Sequence, residues 1–226
     1  MTDGPTTPPP TTPPPGGMPG APVSLVERVK NILMTPKTEW QRIDAEPATI
    51  GGIFTSYVLI LAAIGPIAMV IGQQVFGIGG FGYTWKPSIA YSVGSAVLTY
   101  ILSLVAVYVS SLIIDALAPS FGGTKDPVKA FKVAAYTATA SWVAAIFNII
   151  PMLAWLALIG ALYGLYLLYL GLPRLMRVTE DKAVGYTVVV IVVQIVLYFI
   201  VAFLVGMLVL SFFGAAMMAT APVVRY

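Results

Sequence analysis

The chain contains no cysteine and no histidine, and charged residues make up only 9% of its 226 residues. Without cysteine there are no disulfides and no thiol chemistry, and without histidine the commonest general base and most zinc ligands are missing. A soluble domain carries about 25% charged residues, so the low charge also argues against a soluble fold. These absences indicate a membrane protein and give an enzymatic function very little support.

Apolar residues dominate what is present, at 58% of the chain, and the mean hydropathy is +0.91. Five apolar runs each reach the length of about 20 residues that a helix needs to cross a bilayer. The predicted spans cover about residues 50–75, 89–117, 130–150, 152–172 and 186–213. Because lipid leaves no partner for an unpaired backbone, the predicted fold is all-α. We expect a polytopic bundle of five transmembrane helices, preceded by amphipathic interfacial helices, with no cofactor and no metal.

The segments outside the spans differ in composition. Residues 1–23 are rich in proline, and we expect them to form a disordered cytoplasmic tail. That tail is either a solvated linker or a docking arm for a proline-recognising partner. Residues 24–48 hold the amphipathic helices, residues 49–215 hold the five-helix domain, and residues 216–226 form a short tail on the outside.

Two short helices are predicted before the first span. Ser24 and Glu27 form a capping-box pattern, and Arg28 is assigned to the polar face of the first helix. Thr35 is expected to cap the second helix, with Pro36 at its first position. The apolar stripe of these helices either lies in the headgroup plane or packs on the protein's own cytoplasmic end, and the sequence leaves both possibilities open.

Basic residues alternate along the chain. Ten Lys and Arg residues fall in the segments on one side of the membrane, and two fall on the other. The positive-inside rule places the ten in the cytoplasm, so the N-terminus is predicted inside and the C-terminus outside. A bacterial cytoplasmic (inner) membrane is the expected location. The partners expected from this charge are the lipid bilayer and its anionic headgroups rather than nucleic acid.

The stretch FGGTKDPVKAFK, residues 121–132, holds three lysines and an aspartate between two spans. Asp126 is expected to cap the third span, with Pro127 at the first helical position. Lys129 and Lys132 are then expected to extend their ammonium groups to the lipid headgroups. This loop is therefore predicted to be cytoplasmic.

Asp115 is the one acidic residue inside an apolar run. It lies near the cytoplasmic end of its span, where we expect it to pair with Lys129, Lys132 or Arg174. The alternative is a carboxylate that couples ion or proton movement, since intramembrane acids often mark such a function.

Gly65 and Pro66 interrupt the first span, where a kink is predicted. Broken helices line the sites of many transporters, although proline is also common in membrane helices. The break keeps open the alternative of a small transporter or channel.

Small residues recur at helical spacing in the third and fourth spans. Gly160 and Gly164 form one such pair, and Ala134, Ala138 and Ser141 form another small face. Such faces favour close helix packing. They predict contact between the third and fourth spans of one chain or between copies in a homo-oligomer.

Three stretches carry a resemblance to a known family: NILMTPKTEWQRI, FGGTKDPVKAFKVAAYTATASWVAAIFNIIP and IGALYGLYLLYLGLPRLMRVTEDKAVGY. With the span layout they resemble bacterial-type members of the YIP family. Its eukaryotic members are polytopic membrane proteins that interact with Rab-type GTPases and act in vesicle traffic. The Asp-Leu-Tyr-Gly-Pro type motif of those members is absent here.

The resemblance implies a set of candidate positions rather than a catalytic set. They are Asp115, Phe121, Gly122, Gly123, Tyr136, Tyr163, Gly164, Tyr169, Gly171 and Pro173. Gly122 and Gly123 are also expected to form a tight turn after the second span.

The leading hypothesis is a non-enzymatic scaffold that organises membrane or binds a protein partner at its cytoplasmic face. The distinctive residues gather on that face. Its candidate contact residues are Lys125, Lys129, Lys132, Arg174 and Arg177.

Overall fold

The computed structural model describes residues 23–80 and 83–219. The predicted proline-rich tail, up to residue 22, and the end of the predicted outside tail, from residue 220, lie outside the described residues. Within these described residues, five helices are long and apolar enough to cross a membrane, which confirms the all-α polytopic fold. They are the first span Ile50–Val75, the second Ile89–Phe121, the third Pro127–Ile149, the fourth Pro151–Met176 and the fifth Asp181–Gly214.

Most spans combine several helical segments. The first consists of α-helices Ile50–Ile53, Leu59–Ala62 and Ile64–Val75 with a π-helical stretch, Phe54–Val58. The second and third consist of α-helix Ile89–Leu117, 3-10 turn Ala118–Phe121, α-helices Pro127–Thr137 and Thr139–Ala144, and 3-10 turn Ala145–Ile149. The fourth and fifth consist of 3-10 turn Pro151–Leu156 and α-helices Ala157–Leu175 and Glu180–Ala219.

The first span breaks where the sequence predicts a kink. The α-helix ends at Ala62, Ala63 forms a turn, and a new helix begins at Ile64. Pro66 has no backbone N–H to donate to the carbonyl of Ala62, so the regular hydrogen-bond ladder cannot continue through this point.

The connections at one end of the bundle are short. Only Ile150 separates the 3-10 turns of the third and fourth spans, so this connection is a tight hairpin. The first loop forms a two-stranded antiparallel hairpin of β1 (Ile78–Gly80) and β2 (Tyr83–Trp85), which the sequence reading did not predict. We call the end of the bundle that holds these two connections the hairpin end.

The two predicted N-terminal helices are α1 (Leu25–Met34) and α2 (Pro36–Ala45). Ser24 accepts a hydrogen bond from the backbone of Glu27, as the capping pattern predicts. Pro36 begins α2, but the Thr35 hydroxyl does not cap it and instead donates to the carbonyl of Asn31. The predicted side-chain cap at Thr35 is therefore wrong.

The apolar stripe of α1 and α2 faces the bundle. Ile32, Trp40 and Ile43 are at most 1% exposed and belong to the same core cluster as the spans. Of the two possibilities left open by the sequence, the structure shows packing on the protein itself. This core lies toward the basic end, defined as the end formed by the C-terminus of α2 and the loops 122–126 and 177–179.

The fifth span packs along the second. Ser110 donates to the side-chain carbonyl of Gln194 at 3.0 Å, and the ring of Phe213 fills the space that Gly94 leaves free. The other faces of these two spans carry a long series of exposed apolar side chains. Such faces are suited to lipid.

The third and fourth spans cross closely. A Cβ on Gly160 would lie 2.6 Å from the carbonyl oxygen of Ala140 and would also contact Ala144. A Cβ on Gly164 would lie 3.2 Å from the carbonyl oxygen of Thr137. The predicted small-residue contact is thus made within one chain.

Gly160→Ala should therefore destabilise the bundle. The added methyl group must displace backbone, and overpacking of this kind costs about 1–3 kcal/mol. Gly206→Ala is the matched control, because a Cβ there meets nothing within 4 Å. Thermal unfolding in detergent should show a lower Tm for the first variant and an unchanged or higher Tm for the second. Equal Tm values for the two variants would contradict the packing described here.

A candidate interaction site at the basic end of the bundle

A buried cation joins α1 to α2. Arg28 is only 6% exposed, and its guanidinium donates to Glu39 Oε1 at 2.5 Å and to Glu46 Oε2. The guanidinium carbon lies 5.6 Å from the ring centroid of Tyr136, which adds a cation–π contact. The Arg28 side chain therefore connects α1 with Glu39 in α2, with Glu46 just after α2 and with Tyr136 in the third span.

The assignment of Arg28 to the polar face of α1 was wrong. Arg28 precedes the fully buried Ile32 by one helical turn, so the two side chains share a face. That spacing was the available signal in the sequence. Glu39 is also buried, at 3% exposed, because it supplies the negative charge that pairs with the buried Arg28.

Lys132 does not reach the lipid headgroups, which corrects the prediction. It is 4% exposed, and its ammonium donates to the carbonyls of Ile43 at 2.6 Å and Glu46 at 2.5 Å. These carbonyls lie at the C-terminal end of α2, where backbone acceptors have no partner within the helix. A cation there also opposes the negative end of the helix dipole. Lys132 thus caps the C-terminal end of α2.

Lys129 is engaged in the same docking contact. Its ammonium lies 2.8 Å from Asp44 Oδ1, and both side chains are partly buried. Its backbone N–H donates to Asp126 Oδ1 at 3.0 Å, and Pro127 takes the first helical position, so the predicted cap is confirmed. The headgroup contact expected of Lys129 is replaced by this ion pair with α2.

A row of aromatic rings continues the docking contact toward the middle of the bundle. Trp40 packs where Gly171 has no side chain, since a Cβ on that glycine would lie 2.5 Å from Trp40 Cε2. The Trp40 and Tyr136 ring centroids are 6.4 Å apart, and those of Tyr136 and Tyr57 are 4.8 Å apart. The Tyr57 hydroxyl lies 2.7 Å from Thr139 Oγ1. The row connects α2 with the first, third and fourth spans.

Asp115 does not pair with Lys129, Lys132 or Arg174, which corrects a second expectation. No ion pair of Asp115 occurs within the described part of the chain, and its Oδ1 instead accepts from the backbone N–H of Asp126 at 2.7 Å. Because Asp126 caps the third span, this bond fixes the end of one span to the start of the next. The position suits a structural role for the carboxylate.

The loop after the second span turns tightly, as predicted for its two glycines. Gly122 has φ +74°, and the N–H of Gly123 donates to the carbonyl of Ala118 at 2.9 Å. The N–H of Thr124 donates to the carbonyl of Met176 at 2.9 Å. A Cβ on Gly123 would lie 2.6 Å from that same carbonyl oxygen, so the close approach of the two loops requires glycine there.

The fifth span is fixed to this end by aromatic contacts. The rings of Phe121 and Tyr186 stack with centroids 5.0 Å apart and an interplanar angle of 24°. The Tyr186 hydroxyl donates to the carbonyl of Ile114 at 2.5 Å. Pro173, in the last turn of the fourth span, accepts a hydrogen bond from the N–H of Val178 at 3.0 Å. The two Tyr186 contacts therefore fix the fifth span to the second at the basic end.

Exposed cations surround this locked platform. They are Arg42, Lys125, Arg174, Arg177 and Lys182, whereas Lys30 and Lys37 are exposed farther from this end, near the turn between α1 and α2. Arg177 has φ +55°, a conformation that L-residues adopt mainly in tight turns. Because the backbone beneath them is tied down, the cations of the two loops are presented in a defined arrangement.

The structure divides the predicted site residues into three sets. The loop set meets around Asp126 and the turn before it: Asp115, Phe121, Gly122, Gly123, Lys125, Pro173, Arg174 and Arg177. The docking set lies against α2: Lys129, Lys132, Tyr136 and Gly171. Tyr163 and Gly164 lie deeper in the bundle, and Tyr169 is exposed on its side. The role of each as a functional residue stays a prediction.

The residues invoked for transport are not brought together. Pro66 lines an apolar cavity of about 260 Å³ with Ile67, Val97 and Tyr100. Gly65 contacts the 3-10 turn near the hairpin end, whereas Asp115 lies at the basic end. The described residues thus do not connect the helix break with the carboxylate.

These features define a five-span helical membrane protein with a pair of N-terminal helices docked against its third and fourth spans. Comparison with protein families shows that the chain belongs to the Yip1 domain family, whose model matches residues 30–203. The resemblance drawn from the sequence is confirmed.

Two curated relatives are inner membrane proteins. The inner membrane protein YohC of Escherichia coli strain K12 is 28% identical over 166 residues, which cover 72% of this chain and 85% of the relative. The protein of the same name from E. coli O6:H1 matches over the same lengths at the same identity. No solved structure matches the chain.

Arg28→Met should destabilise the protein strongly, because the buried carboxylate of Glu39 loses its hydrogen-bonded cation. Removing one member of a buried ion pair typically costs about 3–5 kcal/mol. Arg42→Met is the matched control, since Arg42 is half exposed and lies 3.7 Å from the same carboxylate. Thermal unfolding in detergent should show a large loss for the first variant and a small one for the second. Adding Glu39→Gln to Arg28→Met should restore part of the loss; the absence of any recovery would contradict the pairing.

Proposed function

We propose that this protein is a non-enzymatic integral membrane protein that organises membrane by binding anionic lipid headgroups and a protein partner at its basic end. The observation that carries this proposal is the group of exposed cations Lys125, Arg174 and Arg177, on two loops and the helix turn beside them, whose backbone is held by internal hydrogen bonds. Fixed cations beside a bilayer attract anionic lipid at about 1 kcal/mol per residue.

The non-enzymatic assignment rests on how the polar groups are used. The buried charged side chains Arg28, Glu39 and Lys132 are engaged in packing α1 and α2 onto the spans. The chain supplies neither cysteine nor histidine as a nucleophile or base. This arrangement supports a structural use of the polar groups rather than catalysis.

The orientation we propose places the N-terminus and the basic end in the cytoplasm of a bacterial inner membrane. The excess of Lys and Arg at that end supports the orientation, and the similarity to inner membrane proteins of E. coli supports the choice of membrane. The cytoplasmic protein partner would then meet the loops 122–126 and 177–179.

Orientation can be measured because the chain has no cysteine of its own. We expect Lys182→Cys to be protected from a membrane-impermeant maleimide in spheroplasts and to react after lysis. Ser88→Cys, near the hairpin end, should react without lysis. The reverse pattern would invert the proposed orientation, and labelling of both sites in intact cells would exclude a single topology.

Lipid binding can be tested with a triple variant, Lys125→Gln, Arg174→Gln and Arg177→Gln. At about 1 kcal/mol per cation, removing three should lower association with phosphatidylglycerol up to about 100-fold. Native mass spectrometry from nanodiscs of mixed phosphatidylglycerol and phosphatidylcholine would measure the lipid retained. Lys86→Gln, which changes a cation at the other end, should leave retention unchanged. Equal retention by the triple variant and the native chain would refute the lipid-binding part of the proposal.

Affinity purification in mild detergent, followed by mass spectrometry, would test the partner. A protein that is retained by the native chain and lost from the triple variant, but kept by Lys86→Gln, would support binding at this end.

A further inference from the structure

The pair of α1 and α2 extends far along the side of the third and fourth spans. Leu33, at the end of α1, lines an apolar groove of about 410 Å³ together with Ala140, Ala144 and Gly160. The Tyr163 hydroxyl donates to the carbonyl of Leu33 at 2.7 Å. The turn between α1 and α2 is therefore fixed against the middle of two spans.

The depth of this turn follows from helix geometry. At about 1.5 Å per residue, Ala140 lies roughly 20 Å along the third span from Pro127. Tyr163 lies a similar distance, about 20 Å, from the end of the fourth span at Met176. The hydrocarbon core of a bilayer is about 30 Å thick. The turn therefore lies far inside the length that the two spans would otherwise present to lipid.

The outer face of the pair carries charged and polar side chains down to that turn, beside the exposed apolar residues Val26 and Met34. Its exposed residues include Lys30, Lys37, Thr38, Gln41 and Arg42. A charged side chain at the bilayer centre costs about 2.5–3.5 kcal/mol. A lysine can lower this free-energy cost by extending its ammonium group toward water, but only over the length of its side chain. Headgroups or water must therefore reach close to the turn on this side of the bundle.

The opposite side of the bundle is apolar over the same depth. The Asp115–Asp126 bond and the Tyr186–Ile114 bond place the ends of the second, third and fifth spans at one level. From that level inward, the second and fifth spans expose large apolar side chains. They include Val105, Leu112, Val192, Val196 and Phe199, each at least half exposed.

We infer that the bundle forms a wedge, with its lipid-facing apolar belt shorter on the α1–α2 side than on the side of the second and fifth spans. The partner of this surface is the bilayer itself. A bilayer that matches the apolar belt on both sides must become thinner beside α1 and α2, or the protein must tilt in the membrane. Thinning and tilting each deform one leaflet. The inference goes beyond the proposed function and does not depend on headgroup or partner binding.

Spin labels on single cysteines test the wedge directly, because the native chain has none to remove. The labels replace Lys37 near the turn, Val196 on the fifth span and Arg174 at the basic end. In reconstituted vesicles, the Lys37→Cys label should collide with a water-soluble nickel chelate nearly as often as the Arg174→Cys label. The Val196→Cys label should collide about tenfold less often, because hydrocarbon excludes the chelate.

Two results would overturn the inference. Equal, low collision rates at Lys37→Cys and Val196→Cys would place the turn in hydrocarbon. Equal, high rates would place the face of the fifth span in water. Thr38→Cys, also exposed on α2, serves as a second reporter if the Lys37 variant fails to fold.

Bilayer thickness provides an independent readout of the same wedge. We expect the Tm of the native protein to fall as the lipid chains lengthen, since thicker bilayers bury the charges near the turn. Lys30→Leu combined with Lys37→Leu should flatten that dependence. Lys182→Leu, an exposed cation on the side of the fifth span, should leave it as steep as in the native chain. If the Tm of the double variant falls with lipid chain length as steeply as that of the native chain, the wedge is refuted.

Discussion

The buried pairing of Arg28 with Glu39 and Glu46 is the interaction on which the rest of the basic end depends. A buried ion pair adds little net stability compared with an apolar replacement, but breaking it is costly. Its consequence here is specificity of arrangement. It fixes α1 against α2, and the carbonyls at the end of α2 can then accept hydrogen bonds from Lys132.

With α2 fixed, glycine and aromatic residues determine how it meets the spans. Trp40 fits over Gly171, and its edge contact with Tyr136 continues to Tyr57. The loop contacts through Asp115 and Gly123 then hold the spans at one level. The exposed cations at this end are carried by the same elements, so the contacts that dock the helix pair also hold these cations in a defined arrangement.

The fold was largely predictable because its main determinant is local. Five runs of apolar residues cannot be other than helices in lipid, and the caps at Ser24 and Asp126 follow from short-range patterns. The site was less predictable because its contacts join residues distant in sequence. Lys132 reads as a headgroup contact until α2 is known to end beside it, and nothing nearby in the chain reveals that. Arg28 was the exception, since its position one turn before Ile32 already placed it on the buried face.

The docking of α1 and α2 also orders the assembly of the protein. These helices are synthesised before the spans, yet the residues that receive them, Lys132, Tyr163 and Gly171, belong to the third and fourth spans. Until the fourth span is inserted, the helix pair has no surface to occupy and its apolar stripe stays uncovered. A ribosome has therefore made most of the chain before its first helices reach their final place.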